Sequence, residues 1–122
     1  MKKYGEIAYV LIVESYNPYT LEQYEKICKE YEIEAHIDDI QYVIDEFVER
    51  MYLEIEPETG IVSLNFENTD IMDEMAYELQ FNDEVAQKFA NVINKHGDID
   101  ICFNYLPDIS HNALNETIKE MM

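Results

Sequence analysis

The sequence predicts an α+β fold that is rich in helix, with one β-hairpin set between amphipathic helices. Two observations predict the helices: apolar residues recur at spacings of three and four, and capping residues stand where the helices should begin. A third predicts the hairpin, because two alternating segments flank Pro57-Glu58-Thr59-Gly60. With 122 residues, 48% of them apolar, the chain is long enough for one hydrophobic core. We therefore expect a single domain over residues 1–122.

The clearest helix start is at Thr20. In Thr20-Leu21-Glu22-Gln23 the threonine hydroxyl can accept from the Gln23 amide while the glutamine side chain reaches back, which forms a capping box. Tyr19 and Tyr24 stand where a hydrophobic staple would bring them together, and Pro18 blocks extension backwards. The apolar stripe of this helix is Leu21, Tyr24, Ile27, Cys28 and Tyr31.

A second amphipathic helix is predicted over residues 37–51. Its apolar residues fall within one arc of roughly 140° at 100° per residue. They are Ile37, Ile40, Val43, Ile44, Phe47, Val48 and Met51. The opposite arc carries Asp38, Asp39, Asp45, Glu46 and Glu49, with Tyr42 among them. This helix therefore predicts a strongly acidic outer face.

The hairpin strands are predicted at Tyr52–Glu56 and Ile61–Phe66, where apolar and polar residues alternate. In the second strand, Val62, Leu64 and Phe66 would share one face. A short helix is then predicted over residues 70–80, where the apolar residues are Ile71, Met72, Met75, Ala76 and Leu79.

The last third of the chain predicts a helix, a strand and a final helix. Asn82 is placed to cap a helix that ends before Gly97, and the charges in its first and last turns match the helix dipole. Asp98–Tyr105 alternates in the way that indicates a strand, which Pro107 would end. Ser110 could cap a last helix through Met121.

Residues 4–15 leave two interpretations open. Their β-branched residues favour a strand by propensity, whereas the same segment also fits a helix face. The order of the elements favours a helix here. The apolar segment is followed by a turn through Asn17-Pro18, a capped helix, a second helix and a hairpin.

Residues 4–66 resemble a winged helix-turn-helix, a fold of three helices with a trailing β-hairpin. The resemblance lies in Thr20-Leu21-Glu22-Gln23, in Phe47-Val48-Glu49-Arg50-Met51-Tyr52-Leu53-Glu54-Ile55 and in Gly60-Ile61-Val62-Ser63-Leu64. It implies a winged-helix-like first half over residues 1–66. Residues 67–122 would form a helix-strand-helix second half, with two or three helices and one further strand.

The resemblance would place residues 37–51 at the position of the family's recognition helix. In that family the helix enters the major groove, where its outer face needs basic or amide side chains near phosphates and base edges. Here that face carries five carboxylates. Repulsion between two like charges costs about 1 kcal/mol at ~4 Å in water, so we expect no direct binding to nucleic acid through this helix.

The negative charge of the chain is concentrated in its middle. Between Glu30 and Gln87 there are eighteen carboxylates and one basic residue, Arg50, which gives −17 of the formal net charge of −19. Such a field repels nucleic acid and anionic membranes and accelerates association with basic protein surfaces. We therefore expect a partner with a basic surface, and neither nucleic acid nor a membrane.

The sequence offers no catalytic constellation and no cofactor fingerprint. Its three glycines form no phosphate-binding loop, and its serines lie outside any nucleophile elbow. Cys28 lies on an apolar stripe, and His36 with Asp38 and Asp39 makes only a weak cation site. We expect no enzyme activity, no cofactor and no metal. Without a convincing leader segment, the chain is expected to be cytoplasmic.

These observations predict an acidic binding protein that acts without catalysis, as a nucleic-acid mimic inhibiting a DNA- or RNA-binding enzyme. Small anti-restriction and anti-CRISPR proteins of phages and mobile elements are similar in size and charge. One alternative is an immunity- or antitoxin-type inhibitor, or an acidic regulatory adaptor, that binds through a tyrosine-rich surface; another is that the charge only serves solubility. A homodimer is possible. The expected partner-binding residues are Asp38, Asp39, Tyr42, Asp45, Glu46, Glu49, Glu54, Glu56, Glu58, Asp70, Asp73, Glu74 and Glu78.

Overall fold

The computed structural model describes residues 4–104 and confirms a helix-rich α+β arrangement with a small two-stranded antiparallel sheet. A further helical segment occupies residues 100–104, where the description ends. The elements in chain order are α1 (Tyr4–Val13), α2 (Leu21–Glu30), α3 (Ile37–Glu49), β1 (Leu53–Ile55), β2 (Val62–Leu64), a 3-10 turn (Phe66–Asn68), α4 (Thr69–Phe81) and α5 (Asp83–His96).

The segment that the sequence left open is a helix, α1, and all of its residues except Glu6 and Tyr9 are buried. Its buried residues are Tyr4, Gly5, Ile7, Ala8, Val10, Leu11, Ile12 and Val13. A helix enclosed on nearly all sides has little polar face, so its sequence carries only a weak 3.6-residue period. This explains why the residues alone did not distinguish a helix from a strand.

Helix α5 packs closely against α1 at Gly5. A Cβ atom at this position would stand 2.3 Å from the carbonyl oxygen of Ala90, so only glycine permits the approach. The Gly5 N–H donates to Oδ1 of Asn94 at 2.9 Å, and the amide of Asn94 donates to Glu6 at 2.7 Å. The α5 side chain thus satisfies one of the backbone N–H groups that the start of α1 leaves unpaired.

The predicted start of α2 is confirmed. The Gln23 amide donates to the Thr20 hydroxyl oxygen at 3.3 Å, and the Thr20 N–H donates to the Gln23 side chain at 2.8 Å. The rings of Tyr19 and Tyr24 lie edge to face with centroids 5.4 Å apart, as a hydrophobic staple requires.

Helix α3 buries Ile40, Val43, Ile44 and Phe47, as predicted, and the hairpin follows it. The prediction for Met51 is wrong, because the helix ends at Glu49 and the Met51 side chain is 49% exposed. Leu53 pairs with Leu64, Glu54 with Ser63 and Ile55 with Val62. Tyr19 adds an antiparallel bridge to the outer edge of this sheet, with the Val62 N–H donating to the Tyr19 carbonyl at 2.7 Å.

The prediction for Phe66 is wrong. It lies in the 3-10 turn after β2 instead of extending the apolar face of the strand, and its side chain is 79% exposed. Asn65 ends the strand because its side chain accepts from the Glu67 N–H at 3.0 Å, which starts the turn.

The predictions for α4 and α5 are confirmed. Helix α4 spans the expected residues and buries Met72, Met75 and Leu79. The Val85 N–H donates to the Asn82 side chain at 3.2 Å, and Gly97 ends α5 in the left-handed conformation at φ +66°.

The predicted strand at residues 98–105 is wrong, because residues 100–104 are helical. Asp98 accepts from the Asp100 N–H at 2.9 Å and starts the helix, a signal that the sequence reading missed. Ile99 and Cys102 are buried at a spacing of three, which fits a helix as well as the alternation fits a strand. Tyr105, Pro107 and the predicted last helix from Ser110 lie outside the described residues.

One cluster of buried side chains runs through both halves of the described chain, from Tyr4 to Cys102. Helix α1 lies at its centre and contacts α2, α3, α4 and α5. Within residues 4–104, no helix is long and apolar enough to cross a membrane.

Helices α2 and α3 end in the same way, each with a non-glycine residue in the left-handed conformation. These residues are Glu32 at φ +61° and Met51 at φ +65°. In α3 the Tyr52 N–H donates to the Phe47 carbonyl at 2.9 Å and the Met51 N–H to the Val48 carbonyl at 3.0 Å, which is a Schellman motif. Glycine is the residue that this position favours.

We predict that Gly5→Ala destabilises the fold by about 1–3 kcal/mol, since the added methyl group meets backbone atoms of α5 that cannot rotate away. Urea denaturation followed by circular dichroism measures the loss. Gly60→Ala is the matched control, because Gly60 has a positive φ and open space around its Cβ position. It should cost about 1 kcal/mol, from backbone strain alone. Equal or greater stability of the Gly5 variant would contradict the close packing of α1 and α5.

We also predict that Met51→Gly raises the free energy of unfolding by about 0.5–1 kcal/mol, because glycine removes the left-handed strain at the end of α3. Glu49→Gly, two residues earlier in right-handed helix, should instead lower it by about 1 kcal/mol. The same denaturation experiment compares the two. A loss of stability in both variants would show that Met51 is not strained.

Candidate protein-binding surface

The acids of α3 lie on its outer side, but they are not equally available. Asp38, Asp45 and Glu49 are exposed. Asp39 and Glu46 are half-buried, and Glu46 forms an ion pair with Arg50. The amphipathic arrangement predicted for this helix is therefore present, with three of its five carboxylates exposed, although Asp45 also accepts a hydrogen bond from the Gln41 side chain at 2.8 Å.

Glu46 forms an ion pair with Arg50, the single Lys or Arg residue between Glu30 and Gln87. The Arg50 guanidinium pairs with Glu46 one turn earlier and with Asp100 on the helical segment that follows α5. It also lies over the ring of Phe103, 4.2 Å from the centroid. The hydrogen bond to Glu46 raises the pKa of Arg50 above its ordinary value. Arg50 thus fastens residues 100–104 to α3, and Glu46 supports the fold more than it offers charge to a partner.

Tyr42 lies among the acids on the outer side of α3. Its side chain is 40% exposed, and its ring packs against Tyr4 with centroids 5.1 Å apart. Burial, followed by the nearby Glu46 carboxylate, raises the pKa of Tyr42 above its ordinary value. Part of the Tyr42 side chain therefore packs against Tyr4, and part of it remains exposed to solvent.

His36 has a structural role that the sequence reading missed. Its Nδ1 accepts from the Asp38 N–H at 3.2 Å and caps the start of α3. The signal available in the sequence was its position directly before the helix, with Asp38 and Asp39 in the first turn. Across residues 4–104, no group of three or more His, Cys, Asp or Glu side chains is arranged to hold a metal ion.

The hairpin presents three exposed acids, Glu54, Glu56 and Glu58. Glu54 pairs with Ser63, so both side chains leave the sheet on the face opposite to the buried Leu53 and Val62. Glu58 lies in the turn, where the Thr59 hydroxyl donates to Glu56 at 3.2 Å.

Helix α4 carries both predicted acids and aromatic residues that were not predicted as part of the site. Asp70, Asp73 and Glu74 are exposed, while Glu78 is half-buried. Tyr77 and Phe81 lie on the same outward side, 64% and 69% exposed, with ring centroids 4.9 Å apart. Their spacing of four along a helix that turns Met72, Met75 and Leu79 inward was the available signal.

The end of α3, the start of the hairpin and the start of α4 meet at one junction. The Asn68 side-chain amide donates to the Met51 carbonyl at 2.8 Å, and the Asn65 N–H donates to the Tyr52 carbonyl at 3.2 Å. The start of α4 is thereby held against the turn between α3 and β1. Glu49 and Asp70 belong to the ends that meet, whereas Asp38 and Glu78 belong to the far ends of their helices.

Most tyrosines in the first quarter of the chain serve packing. Tyr24 is fully buried, and its hydroxyl has no hydrogen-bond partner among the described residues. The Tyr31 hydroxyl donates to Glu14 at 2.7 Å, and its ring lies edge to face with Tyr9 at 6.1 Å. Tyr16, at 60%, is the most exposed of this group in residues 4–31. The segment therefore offers less tyrosine surface than its composition indicates.

The two cysteines are buried and free. Burial raises the pKa of Cys28 to about 11 and shifts that of Cys102 in the same direction. Both thiols are therefore protonated at neutral pH, which makes them poor nucleophiles.

Comparison with family models, with curated proteins and with solved structures finds no match for this chain.

We predict that Arg50→Gln lowers the free energy of unfolding by about 1–2 kcal/mol, because it removes two ion pairs and the contact with Phe103. Urea denaturation at low and high salt measures the effect, which should shrink at high salt as the ionic part is screened. Arg50→Lys is the matched control. It keeps the charge but loses the planar fork, so an intermediate loss is expected. No change in Arg50→Gln would contradict the fastening of residues 100–104 to α3.

Proposed function

We propose that this chain is an acidic binding protein that acts without catalysis by presenting carboxylates to the basic surface of a nucleic-acid-binding enzyme. The supporting observation is that α3, the hairpin and α4 all turn acids outward from an apolar core, with Arg50 as the one base between Glu30 and Gln87. The same field opposes direct contact with nucleic acid, because every phosphate approaching it meets like charge.

The density of charge supports mimicry of a nucleic acid when the elements act together. Helix α3 has 13 residues, hence a length of about 20 Å, and α4 has the same length. Five acids on α3 give about one charge per 4 Å, against one per 3.4 Å along a DNA strand. Because Glu46 is paired with Arg50, the charge density of α3 alone is lower than that of a DNA strand. The junction at Met51 and Asn68 supports a surface that continues from α3 onto α4.

We further propose that residues 4–66 adopt a winged-helix-like arrangement. The order of three helices and a hairpin supports it, as does the bridge from Tyr19 to Val62 beside the hairpin. In this arrangement α3 lies at the position of a recognition helix. It carries carboxylates where winged helix-turn-helix proteins carry basic side chains. The proposed class is an inhibitor of the anti-restriction or anti-CRISPR type.

The proposal is tested by capturing partners from bacterial lysate on the immobilised protein, and then adding a 30-base-pair DNA duplex to each purified complex. We expect a nucleic-acid-binding enzyme to be captured and the duplex to displace it, because both ligands compete for one basic groove. A captured partner that stays bound in saturating duplex would contradict mimicry.

We predict that the double variant Asp45→Asn/Glu49→Gln slows association with that partner by about tenfold at low salt, since electrostatic steering sets the on-rate. The difference from the wild type should vanish near 1 M salt. Stopped-flow fluorescence or surface plasmon resonance measures the rates. The control Glu22→Gln/Glu25→Gln makes the same change in net charge on α2, outside the proposed surface. Equal slowing by both pairs would show that only the net charge acts.

A further inference from the structure

Helix α4 differs from the other acidic elements because large apolar side chains lie among its exposed carboxylates. At 100° per residue, the residues Asp70, Asp73, Glu74, Tyr77 and Phe81 fall within one outward arc of about 100°. This stripe, hereafter the α4 stripe, is about 17 Å long at 1.5 Å per residue. Tyr77 and Phe81 occupy its carboxyl-terminal half and touch only each other among the described aromatic rings.

The aromatic pair contributes little to the core. Both side chains are about two-thirds exposed, while the opposite side of α4 already packs through Met72, Met75 and Leu79 at 0% exposure. Two adjacent exposed aromatic rings leave apolar surface in water, which a bound partner would remove. Aromatic residues surrounded by polar ones are also the usual energetic centre of a protein interface.

The charge of the stripe decides what can cover it. A second copy of the chain would bring Asp73 and Glu74 against the same residues, and an anionic membrane or a nucleic acid would meet the same repulsion. A cationic protein segment is complementary to it. Arginine fits better than lysine, because its planar guanidinium stacks on an aromatic face and donates two hydrogen bonds from its edge to a carboxylate.

Helix α3 lacks such an anchor. Tyr42 is its one large outward ring, and that ring packs against Tyr4, while Glu46 is held by Arg50. The exposed acids of α3 are thus suited to steering and to the rim of an interface, where each exposed ion pair contributes little.

We infer that the α4 stripe is the centre of the docking surface, and that Tyr77 and Phe81 take an arginine side chain from a basic segment of the partner. This inference rests on the proposed function and assigns its energetic centre. Arg50 on Phe103 shows the same pairing inside the molecule, with a guanidinium over a ring and a carboxylate at its edge.

The test compares the wild type with Tyr77→Ala/Phe81→Ala, using labelled nona-arginine and nona-lysine peptides as probes in fluorescence anisotropy at 150 mM salt. We expect the wild type to prefer nona-arginine, and the double variant to lose about tenfold in affinity for it. The affinity for nona-lysine should change much less, so the preference should fall towards one. Because neither substitution alters charge, the salt dependence of binding should stay the same.

Tyr16→Ala/Phe66→Ala is the matched control, since it removes two exposed aromatic side chains elsewhere on the molecule. It should leave both affinities unchanged, and circular dichroism should show all variants folded. Equal losses in the two double variants would overturn the assignment of the α4 stripe.

Two other outcomes separate this inference from the proposed function. Tight binding of nona-arginine that survives Tyr77→Ala/Phe81→Ala but is lost in Asp70→Asn/Asp73→Asn would overturn the aromatic anchor and keep the acidic surface. Failure of the wild type to bind either peptide would overturn both. A wild-type dimer in sedimentation that Tyr77→Ala/Phe81→Ala converts to monomer would identify a second copy as the occupant, and would also overturn the inference.

Discussion

The enclosure of α1 is the constraint on which the rest of the structure depends. A ten-residue helix with eight buried residues cannot stand at a surface, so its neighbours must cover it on every side. Gly5 lets α5 approach closely on one side, and α3 and α4 pack on others. Each covering helix packs its apolar side against α1 and turns its polar side outward. The acids of α3 and α4 are exposed for this reason.

The concentration of negative charge destabilises the fold through repulsion, and Arg50 relieves part of that repulsion. Carboxylates placed close together on one surface repel one another and destabilise the compact state. Arg50 relieves part of this repulsion where Glu46 and Asp100 come together, and it adds the contact with Phe103. The ring of Tyr52 stacks on that of Phe103, with centroids 5.4 Å apart. The remaining repulsion is the free energy that a cationic partner can recover on binding.

The sequence predicted best the elements whose signals are local. Thr20 and Asn82 were identified as caps because their hydrogen bonds involve residues three positions away. Residues 4–15 fit both a strand and a helix because burial on nearly all sides of α1 weakens the period. The strand expected at residues 98–105 is wrong because Ile99 and Cys102 suit either structure. In the candidate site, the outward position of the α3 acids followed from periodicity. The capture of Glu46 by Arg50 and the exposure of Tyr77 and Phe81 depend on tertiary packing, which periodicity does not contain.

We propose that the outward sides of α3, the hairpin and α4 form one surface for a basic partner in place of nucleic acid. Amide chemical-shift mapping of the ¹⁵N-labelled protein, titrated with its captured partner, tests this most directly. We expect the shift changes to concentrate in the exposed residues of these three elements and to include those around Tyr77 and Phe81. Changes confined to α2 and the tyrosines near the start of the chain would contradict it.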